Sequence, residues 1–267
     1  MNSPRRVSYL SAFLGLFRRD LRVLSRELGA FAIRVVMQPL LFFFVFTYLM
    51  PKIGQSSALG GANFATVLLP GLMAVAIMFS GIAGVALPLS QEFGVTREID
   101  DRVMCPLPVA AVAIEKVCFS AIQSILAALL IIPLAYFIPA TPVRVHVANW
   151  FMLVLILLLA SLVSGAMGLT IGANVKPQQI GLIFSIVVVP ITFLGCVYYP
   201  WALLAKIRWL QIAVLANPIV YMSEGLRSVL TPAIPHMNYL AIITALILSL
   251  IALMYLGIRG FLHRVIG

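Results

Sequence analysis

Apolar residues fall in six long runs along this chain, at about 29–50, 64–90, 117–138, 147–173, 180–199 and 239–262, with polar segments between them. A helix rises about 1.5 Å per residue, so a run of about 20 residues crosses a hydrocarbon layer roughly 30 Å thick. The pattern predicts an all-α, polytopic membrane protein with six transmembrane helices. Residues 5–28 read differently. Leu10, Phe13, Phe17, Leu21, Leu24 and Leu28 recur at three- and four-residue spacing, and Arg18, Arg22 and Arg26 fall on the opposite side. That is an amphipathic helix lying in the membrane interface. It serves either as a lipid anchor alone or also as a face for a cytoplasmic partner. The chain thus divides into an interface helix at 1–28 and a transmembrane domain at 29–267.

Breaks in the pattern refine this outline. Arg34 stands near the start of the first run, where it can snorkel to headgroups, and Pro39 is placed to kink that helix. Pro51 to Asn63 is a Gly/Ser-rich loop. The second run holds Pro70, Gly71, Gly81, Gly84 and Pro88, so a bent, closely packed helix is expected there. In the fourth run, Gly165, Gly168 and Gly172 share one face and form a small-residue seam for close helix contact. The segment from Gln91 to Pro108 is too polar for lipid. It reads as a short cytoplasmic helix ended by Pro106-Leu107-Pro108, or else as a solvated charged loop. Residues 200–238 mix apolar and polar positions. Two short helices broken at Asn217-Pro218, lying in the outer leaflet or re-entering it, fit that mixture.

Composition supports the bilayer as solvent: 63% of residues are hydrophobic, only 10% are charged, and mean hydropathy is +1.11. A soluble domain carries roughly 25% charged residues. The net charge of +10 would suggest nucleic acid in a soluble protein. Here the cations stand between apolar runs, so no nucleic-acid partner is expected and the charge reads as topology. With the N-terminus inside, all but five of the 18 Lys and Arg fall on the inner side, the five being Lys52, Arg144, Lys206, Arg208 and Arg227. This bias places both termini in the cytoplasm. Cys105, Cys118 and Cys196 form no metal or disulfide framework. No cleavable signal peptide is evident, and the first span is expected to act as the insertion signal.

The chain holds no GxxxxGK[ST], HExxH or GxSxG, so neither a nucleotide cradle nor a hydrolase site is expected within it. His146, His236 and His263 lie at predicted span edges, where a solvated imidazole is the ordinary case. The eight acidic residues also fall at edges or in loops, leaving no midplane carboxylate to carry a coupling ion. Work done by such a protein draws its energy from elsewhere, most simply from a separate ATPase on the cytoplasmic surface. An ion-coupled carrier or channel, and a membrane-embedded lipid-modifying enzyme, are the alternatives. Phe43, Tyr48, Met78, Ser80 and Gln123 are candidate pathway contacts whose other role is ordinary packing.

The order of these features resembles the ABC type-2 exporter permease family, the membrane subunits of drug, polysaccharide and nodulation-factor exporters. The resemblance covers nearly the whole chain. It rests on the amphipathic helix before the first span and on the run Glu92-Phe93-Gly94-Val95-Thr96-Arg97-Glu98-Ile99-Asp100-Asp101-Arg102. Phe193 to Pro200 and the pattern Asn217-Pro218-x-x-Tyr221-x-x-Glu224-x-x-Arg227 complete it. The resemblance implies that Glu92, Phe93, Arg97, Glu98, Asp101 and Arg102 belong to a coupling helix docking on the ATPase. It implies that Arg18, Arg19, Arg22 and Arg26 belong to the interface helix. Asn217, Pro218, Tyr221, Glu224 and Arg227 would belong to re-entrant helices at the outer mouth. The implied assembly is a homodimer or pseudo-homodimer of permeases in the bacterial inner membrane with two separate ATPase subunits. ATP and Mg would sit on the ATPase, with no cofactor on this chain. The implied task is moving an amphipathic, lipid-linked or drug-like substrate outward.

Overall fold

A computed structural model describes residues 9–53, 64–96, 108–139, 143, 145–147 and 149–266 of the chain. Among them every regular element is helical. Helix α1 (Tyr9–Arg26) is amphipathic and gives way at Glu27 to α2 (Leu28–Phe43), which continues as wider π-helical turns over Phe44–Leu49. Pro39 lies inside α2 and removes one backbone donor there. Within the π stretch, the Thr47 hydroxyl donates to the Phe43 carbonyl at 2.6 Å. Then come α3 (Phe64–Gln91), α4 (Val109–Phe137), α5 (Trp150–Asn174) and α6 (Pro177–Phe193). Three short turns over Trp201–Lys206, Arg208–Ala213 and Val214–Ala216 lead to α7 (Pro218–Leu230), and α8 (Tyr239–Ile266) ends the chain. Three asparagines start helices by accepting free N–H groups, Asn238 doing so for Leu240 at the start of α8. Asn149 takes those of Phe151 and Met152, and Asn217 that of Ile219, with Pro218 at the first helical position, where no N–H is needed.

Five of these helical paths among the described residues are long and apolar enough to cross a bilayer: Leu28–Leu49, Phe64–Gly94, Val109–Phe137, Trp150–Asn174 and Tyr239–Val265. The predicted run 180–199 is shorter as a helix. It begins at Pro177 and stops at Phe193, because the chain turns through Leu194 to Tyr199 and Cys196 takes a left-handed φ of 52°. The predicted run 117–138 begins earlier, at Val109. Glu115 and Lys116, just before the predicted run 117–138, lie inside α4 and are buried.

Helices α3 and α5 form the centre, with 72% of each spanning window buried, whereas α2 and α8 are peripheral at 12% and 17%. A central helix meets protein on every side, so its apolar residues need not gather on one face. The core joins Leu72, Ile77 and Ile82 of α3 with Ile131 of α4, Val163 of α5 and Leu226 of α7. Buried hydroxyls bond within their own helix: Ser124 to the Ser120 carbonyl at 2.9 Å, Ser161 to Leu157 at 2.6 Å and Ser164 to Ser161 at 2.9 Å. Lipid offers no other partner.

The α5 glycines sit in the crevice between α3 and α4. A Cβ on Gly168 would stand 2.8 Å from the Ile82 carbonyl oxygen, and one on Gly172 would stand 3.0 Å from Leu89 and 3.1 Å from the Ala86 Cα. Gly165 instead faces Val117 and Ser120 of α4. Backbone cannot yield as a side-chain tip can. Gly168→Leu is therefore expected to cost about 1–3 kcal/mol in overpacking. Thermal unfolding in detergent checks it, with an unchanged midpoint counting against the close α3–α5 contact.

Candidate functional site

The bundle carries paired ionic groups at two opposite ends. At one end lie α1, the end of α3, the start of α4 and the ends of α5 and α8. The Lys116 ammonium of α4 meets the Glu92 carboxylate just beyond α3 at 2.7 Å, and both are buried. Next to Glu92, Phe93 packs edge-on against Phe261 of α8 with ring centroids 5.9 Å apart. The Arg264 guanidinium stands 4.3 Å from the centre of the Phe93 ring. Arg264 also donates to the carbonyls of Gly172 and Val175 at 3.1 and 3.0 Å, satisfying acceptors freed at the end of α5. Gly94 fits against Pro177, the first residue of α6, since a Cβ there would stand 3.1 Å from the proline ring. The stretch Glu92–Gly94 is thus held to α4, α6 and α8, and through Arg264 to the end of α5.

Phe17 of α1 meets Phe119 of α4 edge-on at 6.4 Å, and Leu24 is buried. Arg18, Arg19, Arg22 and Arg26 are all exposed along α1. Leu10, Leu21 and Leu28 of the apolar face are exposed as well. The helix is thus fastened through Phe17 and Leu24, with much of its apolar face exposed.

At the opposite end, Glu224 and Arg227 of α7 form an ion pair with neither side chain exposed to solvent. The pair is one turn apart on the same helix and is tied to two other segments. Glu224 accepts the N–H groups of Trp201 at 2.9 Å and Met237 at 3.1 Å. Arg227 donates to the Cys196 carbonyl at 3.1 Å, an oxygen aimed there by the left-handed turn at Cys196. Asn217 donates to the Ile191 carbonyl at 2.7 Å and Tyr221 to that of Leu215 at 2.8 Å. Each polar member of the Asn217–Arg227 pattern therefore closes a contact that positions backbone.

Of the residues tied by resemblance to a coupling helix, Glu92 and Phe93 are in place as above; Arg97, Glu98, Asp101 and Arg102 lie outside the described residues, as do Pro106, Leu107 and most of the Pro51–Asn63 loop. Among the candidate pathway contacts, Phe43 and Met78 are fully buried core residues, and Tyr48 accepts from Lys52 at 2.7 Å. Ser80 and Gln123 line one groove of about 740 Å³ between α1, α2, α3 and α4. Sequence reasoning missed Lys116 and Arg264 as members of the first cluster. The available signal was a charged residue at the edge of an apolar run, Lys116 beside Glu115 before the third run and Arg264 beside His263 after the sixth.

Long apolar helices, and ionic groups paired at the two ends of the bundle, define a polytopic α-helical membrane protein. Residues 11–231 match the ABC-2 type transporter family, and the chain belongs to that family. It is 29% identical over 191 residues to the inner membrane transport permease YadH of Escherichia coli (strain K12), covering 70% of each chain. The same identity and coverage hold for the protein of that name in Shigella flexneri.

Proposed function

We propose that this chain is the membrane subunit of an ATP-driven exporter in the bacterial inner membrane, working with a separate ATPase. The end bearing α1 and Glu92–Gly94 faces the cytoplasm. The observation that carries this reading is the attachment of Glu92 and Phe93, at the head of the charged segment, to Lys116, Phe261 and Arg264. A partner pushing on that segment moves α4, α6 and α8 together rather than a loose loop. Charge supports the same orientation: Arg18, Arg19, Arg22 and Arg26 stand exposed at this end, whereas the other end exposes Lys206 and Arg208 and buries Arg227 in an ion pair.

Two permeases and two ATPases form the working assembly, with ATP and Mg held by the ATPase. Closure of the ATPase dimer moves the charged segments and changes access to the route for an amphipathic, lipid-linked or drug-like cargo. Only tighter ATP binding to one of the two states can drive that change. Reversing Arg97 and Arg102 to Glu is expected to reduce ATPase retention on the purified permease at least roughly tenfold while membrane insertion persists, because like charges across an interface are strongly unfavourable. Wild-type retention and transport would sink the coupling role. Transport by the permease alone in ATP-free vesicles would establish the ion-coupled alternative instead.

A further inference from the structure

The groove between α1, α2, α3 and α4 has a polarity that changes with depth. Helices α2 and α3 run in opposite directions, so Glu27 at the start of one and Glu92 beyond the end of the other both mark its mouth. From there, seven residues along α2, or about 10 Å, lead to Arg34. Twelve residues back along α3, or about 18 Å, lead to Ser80. Deeper still, the walls are Pro39, Val75, Ala76 and Phe79. Passing inward, α2 and α3 present a carboxylate, a guanidinium, a hydroxyl and then only carbon, with the Gln123 carboxamide of α4 on the wall beside Gly84.

Two of these groups lack partners. Arg34 makes no hydrogen bond or ion pair among the described residues. Ser80 is only 8% exposed, yet its hydroxyl has no hydrogen-bond partner among the described residues. Ser120, Ser124, Ser161 and Ser164, buried in the same bundle, all bond a carbonyl of their own helix. A buried hydroxyl left unmade is unfavourable and calls for an explanation at its site. Ser80 lines a groove of about 740 Å³, within the range of ligand pockets, and a polar atom brought into that groove would be the partner its hydroxyl lacks.

We propose that this groove binds a zwitterionic glycerophospholipid with a phosphoethanolamine headgroup. Its charges occur in the same order as those of the groove. The ammonium lies at the mouth against Glu27, the phosphate on Arg34, an ester carbonyl accepts from Ser80, and an acyl chain runs over Val75 and Phe79. The remaining charges at the mouth are balanced: Lys116 is held by Glu92, and Arg19 faces the same opening as Asp20. With no surplus cation there, a purely anionic headgroup gains less than one carrying both signs.

The test uses the full chain in nanodiscs with photoactivatable phosphatidylethanolamine, phosphatidylglycerol or diacylglycerol, and labelled residues mapped by mass spectrometry. Phosphatidylethanolamine is expected to label the groove walls preferentially. Arg34→Gln should cut this about tenfold, the loss of one charge-assisted contact. Glu27→Gln should abolish the preference over phosphatidylglycerol while leaving both lipids bound. Ala83→Trp, which fills the groove, should abolish labelling, with thermal unfolding as the check that it folds; Arg34 and Glu27 are exposed, so their variants report binding without that concern. Equal labelling by all three lipids, a preference for phosphatidylglycerol, unchanged labelling in Arg34→Gln, or equal labelling of Leu248 on the exposed face of α8 would each overturn the proposal.

Discussion

Arg227→Met is expected to lower the stability of the folded chain by about 3–5 kcal/mol, the cost of removing one partner from a buried ion pair. The substitution keeps length and apolar bulk, so packing is largely preserved. It strips the Glu224 carboxylate of its cation and leaves the Cys196 carbonyl without its donor. Glu224 retains the two N–H groups of Trp201 and Met237, which cannot neutralise a full buried charge. The strained turn at Cys196 then loses the contact that holds it, and the segment 194–201 should open first. Thermal unfolding in detergent and limited proteolysis near Trp201 measure both effects. Glu224→Gln is expected to be milder, since its amide oxygen can still accept from Trp201. The double variant Glu224→Gln/Arg227→Met should lose less than the sum of the single ones, because the second change removes the orphaned charge created by the first. Strict additivity, or a loss below about 1 kcal/mol in Arg227→Met, would show that the pair is solvated rather than locked.

The spanning helices were legible because bilayer thickness imposes a length, and a run of apolar residues carries that length in the sequence itself. Where the reading slipped, a contact distant in sequence decided the outcome. Glu115 and Lys116 looked like a boundary because two charges interrupt an apolar run. They lie within α4, and Lys116 is accommodated by Glu92, 24 residues earlier, a pairing with no local signature. The end of α6 at Phe193 has the same character. Cys196 turns the chain with a backbone conformation that cysteine does not advertise, and the guanidinium that engages its carbonyl stands 31 residues further on. The pattern Asn217 to Arg227 could be read more fully from sequence. A carboxylate and a guanidinium three residues apart in an apolar helix face the same way, and they must find each other if both are buried. What that spacing could not reveal was the third-party backbone, at Trp201, Met237 and Cys196, that the pair collects.

The two ends of the molecule therefore use buried charge differently. At the Glu224–Arg227 end, one short helix gathers loop backbone, and the charges stay within a turn of each other. At the Lys116–Arg264 end, each charge joins different spanning helices, so a displacement of one is felt by the others. The first arrangement suits a fixed structure, and the second suits transmission across the bundle.

Arg264→Gln is the sharpest probe of that transmission. It should remove the charge-assisted bonds to the Gly172 and Val175 carbonyls and the contact with the Phe93 ring, at a total cost of about 2–4 kcal/mol. Phe93→Leu keeps the two carbonyl bonds and gives up the ring contacts with Arg264 and Phe261, and it should cost about 1 kcal/mol. If stability alone were at stake, the two variants would rank in that order by every measure. If the charged segment is moved by an ATPase, Arg264→Gln should bind it normally and let it hydrolyse ATP, and Phe93→Leu, within the docking segment, is compared per bound ATPase. Both should also lose most transport per ATP, because Phe93 is the link between the segment and α8. The decisive measurement is the ratio of cargo moved to ATP hydrolysed in reconstituted complexes. A ratio in Phe93→Leu equal to that of the unaltered protein would reduce this cluster to packing and leave the transmission role without support.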